Sequence, residues 1–388
     1  MANSLLTIDM ITRKSLEILE NNLVISRNCN RQYDDSFAVQ GAKIGSTLRI
    51  RLPDRALVTD GAALQVQDDN EQYTTLSVAS QKHIGINFTS AELTMQLDDF
   101  AERVLKPRIS QLASSIDADV ATAYKSIYNS VGTPGTTPGT SLVLLQAQQK
   151  LNEFATPMSP RYATVNPAAN AGLVEGMKGL FNPTDTVSRQ FKNGMMGTGV
   201  LGFDEINMSQ SIGMHTTGAW GTTITSTGTL STQGQATLPI SFTGSSKTWK
   251  QGDVFTIADV YAVNPQTRQS TGSLQQFVVT ADLTASSTGT LSISPAIYTA
   301  DHALATVDAF PVATAVVTML GSASTQYAQN LSYHKDAITL ATADLLLPQG
   351  VDMASRQTHN GISMRIVRQY DINNDRMPCR VDVLYGYA

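Results

Sequence analysis

A chain of 388 residues, at about 150 residues per domain, has room for two or three domains that each bury a core, which excludes a peptide or a disulfide-stapled miniprotein. Charged residues make up 15% of it, apolar residues 41%, and the formal net charge is −5, which excludes a basic protein whose main work is gripping nucleic acid. Cys29 and Cys379 are the only cysteines and read as two isolated, reduced thiols rather than as a metal or disulfide framework.

Asp9, Arg13 and Lys14 interrupt the apolar residues at the N-terminus, so no secretion signal is expected there. Residues 7 to 24 space Ile8, Ile11, Leu16, Leu19 and Leu23 as an amphipathic helix with Thr7 as its N-cap. From Gly45 to Pro53, Leu48, Ile50 and Leu52 alternate with Thr47, Arg49 and Arg51, a strand with one apolar and one charged face. Polar sequence follows to Tyr73, and strand-like sequence then returns, so the region reads as a long hairpin with a flexible tip. Asp98-Asp99 opens a segment in which Leu112, Ile116, Val120, Ala123, Ile127 and Val131 predict one face of a long helix, bent or restarted near Pro107. The stretch GTPGTTPGT breaks it at 132–140. Helical sequence at 141–155, the strand-like RYATV and a helix-like piece around Ala168 to Leu180 then give mixed α+β character.

The sharpest compositional change lies between Thr216 and Gln326: of these 111 residues, 45 are Gly, Ser or Thr and 8 are charged, whereas the other 277 residues carry 51 charges. Such a change marks a separate domain. TLPISF, DVFTIADVYAV, SLQQFVVTA and GTLSISPAI are β-rich runs that predict a small antiparallel barrel or sandwich. Mixed sequence resumes with NLSYHKDAITLATADLLLP, so the β domain is an insertion into one parent domain.

Chemistry is sparse. His83, His215, His302, His334 and His359 stand singly, with no spacing suited to zinc. Gly197, Gly199 and Gly202 match G-x-G-x-x-G formally but lack the preceding buried strand, the following helix and the later acid of a dinucleotide site, so they read as a loop. The acid pairs Asp34-Asp35, Asp68-Asp69 and Asp98-Asp99 are adjacent and do not build facing carboxylates. No catalytic, cofactor-binding or metal-binding residue is assigned, and no enzyme is expected. Arg49, Arg51 and Arg55 lie with Asp54 and Asp60, a mixture better suited to protein–protein ion pairs than to phosphate.

The order of these parts, together with HIGINFTSAELTMQLDDFAERVLKP, GFDEINMSQSI, TWKQGDVFTIADVYAVNPQTRQSTGSLQQFVV, NLSYHKDAITLATADLLLP and RVDVLYGYA, resembles the P22-like major coat proteins of tailed bacteriophages, which have the HK97 fold. The resemblance implies an α+β subunit: an N-arm at 1–40, an extended E-loop with P-domain strands at 41–95, and a spine helix at 96–131. It implies a P/A core at 132–212 and 327–388, with an inserted antiparallel β-barrel at 213–326. Relatives often run on past the motif that Arg380 to Gly386 match, whereas this sequence stops at Ala388. The implied function is self-assembly, around a scaffolding protein, into an icosahedral shell enclosing the phage double-stranded DNA. The partners are then other copies in hexamers and pentamers, a scaffolding protein, a portal and weakly bound DNA, without a membrane. The locations are the virion capsid and, during assembly, the host bacterial cytoplasm. Arg49, Arg51, Arg55 and Asp60 are the candidate inter-subunit contacts, and the hairpin is expected to gain its stability from assembly. The alternative reading is a surface or tail-associated carbohydrate-binding protein built on the Ser/Thr-rich β domain.

Overall fold

In a computed structural model, the residues described are 8–31, 47–59, 61–64, 66–67, 71–89, 106–177 and 197–388. They form two compact units. The first includes the described residues up to Leu52, from Gln72 to Val120 and from Lys335 to Ala388; the second includes Pro53 to Glu71 and Ala121 to His334.

The first unit begins with helix α1 (Ile8–Asn22), in which Thr12, Ser15, Leu16, Leu19 and Leu23 bury one face at helical spacing. Strand β1 (Thr47–Arg51) pairs antiparallel with β2 (Tyr73–Ser77), and β3 (Ser80–Thr89) follows. Helix α2 (Lys106–Ala121) buries Ile109, Leu112, Ala113, Ile116 and Val120, the stripe read from the sequence. Helical periodicity continues to Val131 in the sequence, but α2 ends at Ala121 and a 3-10 turn (Thr122–Ser126) leads to extended backbone at Ile127. Thr122, Tyr124, Ser126, Ile127 and Tyr128 are all weak helix formers, and the backbone follows its local preference there. Pro107 sits in the first described turn of α2, where its missing N–H is harmless; the expected bend before it lies outside the described residues.

The second unit starts with α3 (Ser141–Glu153), β4 (Arg161–Val165), α4 (Pro167–Gly176), β5 (Gly197–Val200) and β6 (Phe203–Met208). Asn166 caps α4 by accepting the Ala169 N–H at 2.8 Å, and Pro167 occupies the first helical position. The Pro/Gly stretch is no loose linker. A Cβ on Gly172 or Gly176 would come within 2.5 Å of the Pro138 carbonyl oxygen or 2.0 Å of that of Gly139, so these two helical glycines admit a backbone laid directly against α4. Strands β4 and β6 are parallel, and Leu144, Ala147, Ala163, Val165, Leu173, Phe203 and Ile206 form the core of this body.

Next come β7 (Met214–Thr216), β8 (Thr222–Ser226), β9 (Gln235–Thr243), β10 (Lys247–Trp249), β11 (Val254–Val263), β12 (Ser270–Val279), β13 (Leu283–Ala285), β14 (Thr288–Ile297), β15 (Val317–Met319) and β16 (Gln326–Ala328). Six of them form an antiparallel sheet in the order β15-β11-β12-β14-β9-β8, and a bridge between Thr225 and Val316 brings its two edges together into a barrel. Trp249, Phe255, Phe277, Leu238, Ile240 and Leu291 fill it. Strands β7 and β16 pair with each other and form the neck through which the chain enters and leaves the barrel. Strand β17 (Leu331–His334) rejoins the body sheet beside β4.

Back in the first unit, β18 (Leu340–Ala343), β19 (Met353–His359), β20 (Ile362–Arg368) and β21 (Arg376–Tyr387) complete a five-stranded sheet. One edge of β21 pairs with β18 and β20, and its other edge pairs with β3 from Ser80 to Thr89. Here the structure departs from the sequence reading of one long hairpin: only Tyr73–Ser77 returns against β1, and β3 belongs to the β21 sheet. Helix α1 packs on β19 and β20. The Asp117 carboxylate on α2 accepts the N–H groups of Val24 (2.7 Å) and Ser26 (3.0 Å) and the Ser26 hydroxyl (2.5 Å), tying the chain after α1 to α2.

Candidate assembly surfaces

Arg49 and Arg51 project from β1 on the face opposite Ile50 because a strand sends alternate side chains to opposite sides. Both are exposed, Arg51 lies opposite Tyr73 in the ladder, and the Arg49 guanidinium sits 4.7 Å from the centre of the Tyr73 ring. The structure thus brings Arg49, Arg51 and Tyr73 together on one exposed face. Arg55 is exposed four residues beyond the strand, where its N–H binds the Asp54 carboxylate at 2.8 Å; Asp60 lies outside the described residues.

The opposite face of the hairpin is apolar. Ile50 and Leu76 pack with Val78, Ala341, Ala343, Leu345 and Leu384. The base of the hairpin is therefore held by its own chain. Beyond it the ladder stops: the Gln67 amide closes the connection by accepting the Leu57 N–H (2.8 Å) and donating to the Leu57 carbonyl (2.6 Å). Val58, Leu64 and Val66 are exposed to 89%, 90% and 84%. All three lie on the connection between β1 and β2.

A second exposed apolar set lies at the β20–β21 connection and in the segment after β18. Ile372 and Tyr370 stand out beside Asp371, whose carboxyl is held below its ordinary range by hydrogen bonds from Asn374 and Arg376. Leu346 and Leu347 are exposed as well, and the Arg365 guanidinium donates to the Leu346 carbonyl at 2.6 Å.

The charges inside the fold are occupied with holding it. Asp382, fully buried, lies 2.6 Å from Arg365 and 2.5 Å from Arg380. Arg161, also fully buried, donates to the Pro157 carbonyl (2.7 Å), Asn152 Oδ1 (2.8 Å) and the Thr156 carbonyl (2.5 Å). Tyr385 binds Asp119, and burial first, then that carboxylate, raises its phenol pKa. Sequence reading left His215 as a lone histidine, but its Nε2 lies 2.9 Å from buried Asp253 and its Nδ1 lies 3.2 Å from the Tyr124 hydroxyl. Nothing in its spacing could have shown this, since the three residues come from distant segments. Gly197 to Gly202 form a tight β5–β6 reversal with positive φ at Gly199, Leu201 and Gly202, a turn and not a phosphate cradle. Among the described residues, no group of three His, Cys, Asp or Glu side chains comes together as a metal site, and no helix is long and apolar enough to cross a membrane.

Comparison with known proteins found no similar curated protein. Among solved structures, the chain is similar to that of Mycobacterium phage Che8 (10% identity, 94% of this chain and 86% of that one, TM-score 0.46). It is also similar to the asymmetric unit of the bacteriophage PhiM1 mature capsid (12%, 90% and 80%, TM-score 0.40). A third similar structure is the CUS-3 coat protein I-domain (28%, 26% and 96%, TM-score 0.21). The profile of the family described as P22 coat protein, gene protein 5, matches residues 1–388, the whole sequence. With an α+β body and an inserted antiparallel barrel, the chain belongs to the P22 coat protein family: it is a major capsid protein of a bacteriophage, a structural virion component and not an enzyme.

Proposed function

We propose that the subunit assembles through hexamers and pentamers, around a scaffolding protein and a portal, into an icosahedral shell that encloses double-stranded DNA. Assembly takes place in the host bacterial cytoplasm. Residues 1–40 act as N-arm, 41–95 as E-loop and P-domain strands, 96–131 as spine, 132–212 with 327–388 as P/A core, and 213–326 as the inserted barrel. Arg49, Arg51, Arg55 and Asp60 contribute contacts between subunits.

One observation carries this reading: Val58, Leu64 and Val66, on the connection between β1 and β2, are almost fully exposed to water. Apolar side chains so exposed gain little from their own chain and much from a neighbouring copy. The net charge of −5 keeps any DNA contact weak and non-specific. Electron microscopy of the purified protein, made alone and with a scaffolding partner, tests the proposal. Closed shells that need or are regularised by the scaffolding protein are expected; uniform monomers at high concentration in both preparations would sink it.

A further inference from the structure

The barrel and the body meet through polar groups. The Gln276 side chain of β12 accepts the Ser130 N–H at 2.8 Å and donates to the Ser130 carbonyl at 2.9 Å, a side-chain copy of a strand pairing. The Lys150 ammonium on α3 donates to the Ser273 hydroxyl at 3.1 Å, and the Asn264 amide at the β11–β12 turn donates to the Glu153 carbonyl at 2.7 Å. At the neck, His215 bridges Asp253 of the barrel and Tyr124 of the 3-10 turn that follows α2. A carboxylate only accepts, so in the neutral imidazole Nε2 carries the proton and Nδ1 accepts from the phenol.

Each side keeps a core of its own. The barrel core around Trp249 and Phe255 and the body core around Phe203 and Leu173 are separate clusters, and the contact across the seam adds only local packing, such as Gly252 against the side chains of Tyr124 and Lys125. Between them lies a crevice of about 290 Å³ lined by polar Ser130, Lys150, Ser273 and Gln276 and also by apolar Val131 and Leu320. The covalent connection is two three-residue strands, β7 and β16, which pair as Gln326 with Thr216, Tyr327 with His215 and Ala328 with Met214. Separating polar groups that water can satisfy costs little, whereas separating an apolar interface exposes surface that water resists.

We infer that this seam is a joint: it opens and closes about the two-stranded neck while the barrel and the body both stay folded. Opening exchanges these hydrogen bonds for water and breaks neither core. The joint gives the barrel freedom of direction on the body, the freedom that a subunit occupying non-identical lattice positions requires. That last consequence rests on the shell reading. The opening itself does not, and it is measured on the unassembled chain.

Amide hydrogen exchange on the full-length subunit, resolved at single residues, reads the joint directly. The Ser130 amide reports the seam, and the Val279 amide, bonded to the Asp253 carbonyl at 2.9 Å, reports the barrel. Ser130 should be protected, yet exchange about 100-fold or more faster than Val279 and with little denaturant dependence, the signature of a local opening. In Gln276→Ala, Ser130 protection should fall at least about tenfold while the denaturant midpoint of Trp249 fluorescence stays in place. Tyr124→Phe keeps the ring and loses only the hydroxyl, and should raise exchange at 122–131 in the same way. Exchange at Ser130 as slow and as denaturant-sensitive as at Val279 would overturn the inference, because seam and barrel would then be one cooperative unit. An unprotected Ser130 in the unsubstituted protein would overturn it equally, since the seam would then not close.

Discussion

Asp117 illustrates how one side chain fixes a long-range arrangement. Its carboxylate serves Val24 and Ser26 across more than ninety residues of sequence, where backbone donors would otherwise be buried without partners. Asp117→Asn turns part of an acceptor into a donor facing those N–H groups and should cost about 2–3 kcal/mol. Chemical denaturation followed by circular dichroism would show the loss, and the Val24 and Ser26 amides would lose protection first. Cys29 lies beside the same group. Burial, and secondarily the Asp117 charge, pushes its thiol up to about 12 from an ordinary 9.0. A thiol pKa raised by folding means that the folded state holds its proton more tightly. The contribution of Cys29 is therefore complete below pH 9 and is lost as pH rises from there toward about 12, at up to about 1.4 kcal/mol per pH unit. Comparing unfolding midpoints at pH 8 and pH 10 should show a steeper fall for the unsubstituted protein than for Cys29→Ala. Cys379 is pushed up to about 11 by burial, so both thiols should alkylate more slowly in the folded protein than in urea. The pair of isolated thiols was legible in the sequence; their shielding depends on packing.

At the scale of elements, the barrel strands show where alternation helps and where it misleads. Phe255 and Ile257 of β11 face the barrel core as their spacing predicts, but Val260 faces it too, a change of phase. Between the pairs Thr256–Gln276 and Tyr261–Leu274, β11 advances five residues against two on β12, and Asp259, at φ +60°, is one of the three extra residues. Asp259→Gly should leave stability unchanged within about 0.5 kcal/mol, whereas Asp259→Val should lose about 1–2 kcal/mol because a β-branched residue resists positive φ. Thermal unfolding read by Trp249 fluorescence separates the two. The hairpin yields a second test. Arg49→Glu with Arg51→Glu leaves the Ile50 face untouched and reverses the charge of the exposed one, so the subunit should fold normally and assemble into fewer shells. Normal shell yield would argue that this face is only solvated. Hydrophobic alternation fixes the face of β3 and not its partner, so the sequence alone suggests pairing with β1. Its true neighbour, β21, lies about 300 residues away in sequence.

For the whole molecule, hydrogen exchange before and after assembly should divide the hairpin in two. Amides of β1 and β2 are bonded to each other and backed by a core, so they should be protected in the monomer, whereas 53–67 should gain protection only in shells. Equal protection of 53–67 in both states would contradict a role in assembly. The division of labour between sequence and tertiary structure follows from the range of the forces involved. Composition alone separated an almost neutral insertion from a charged body, because a β domain that buries its apolar residues in its own barrel leaves a local mark on every strand. Helical stripes in α1 and α2, the strand face of β1 and the absence of recognisable catalytic spacing were likewise local, and the order of segments carried the family. What only the tertiary structure decided was pairing at a distance: the capture of β3 by β21, the tie of Asp117 to the chain after α1 and the linkage of His215 to Tyr124 and Asp253. Each depends on which partner a hydrogen-bonding group finds after the chain has folded, and periodicity along the sequence holds no record of that choice.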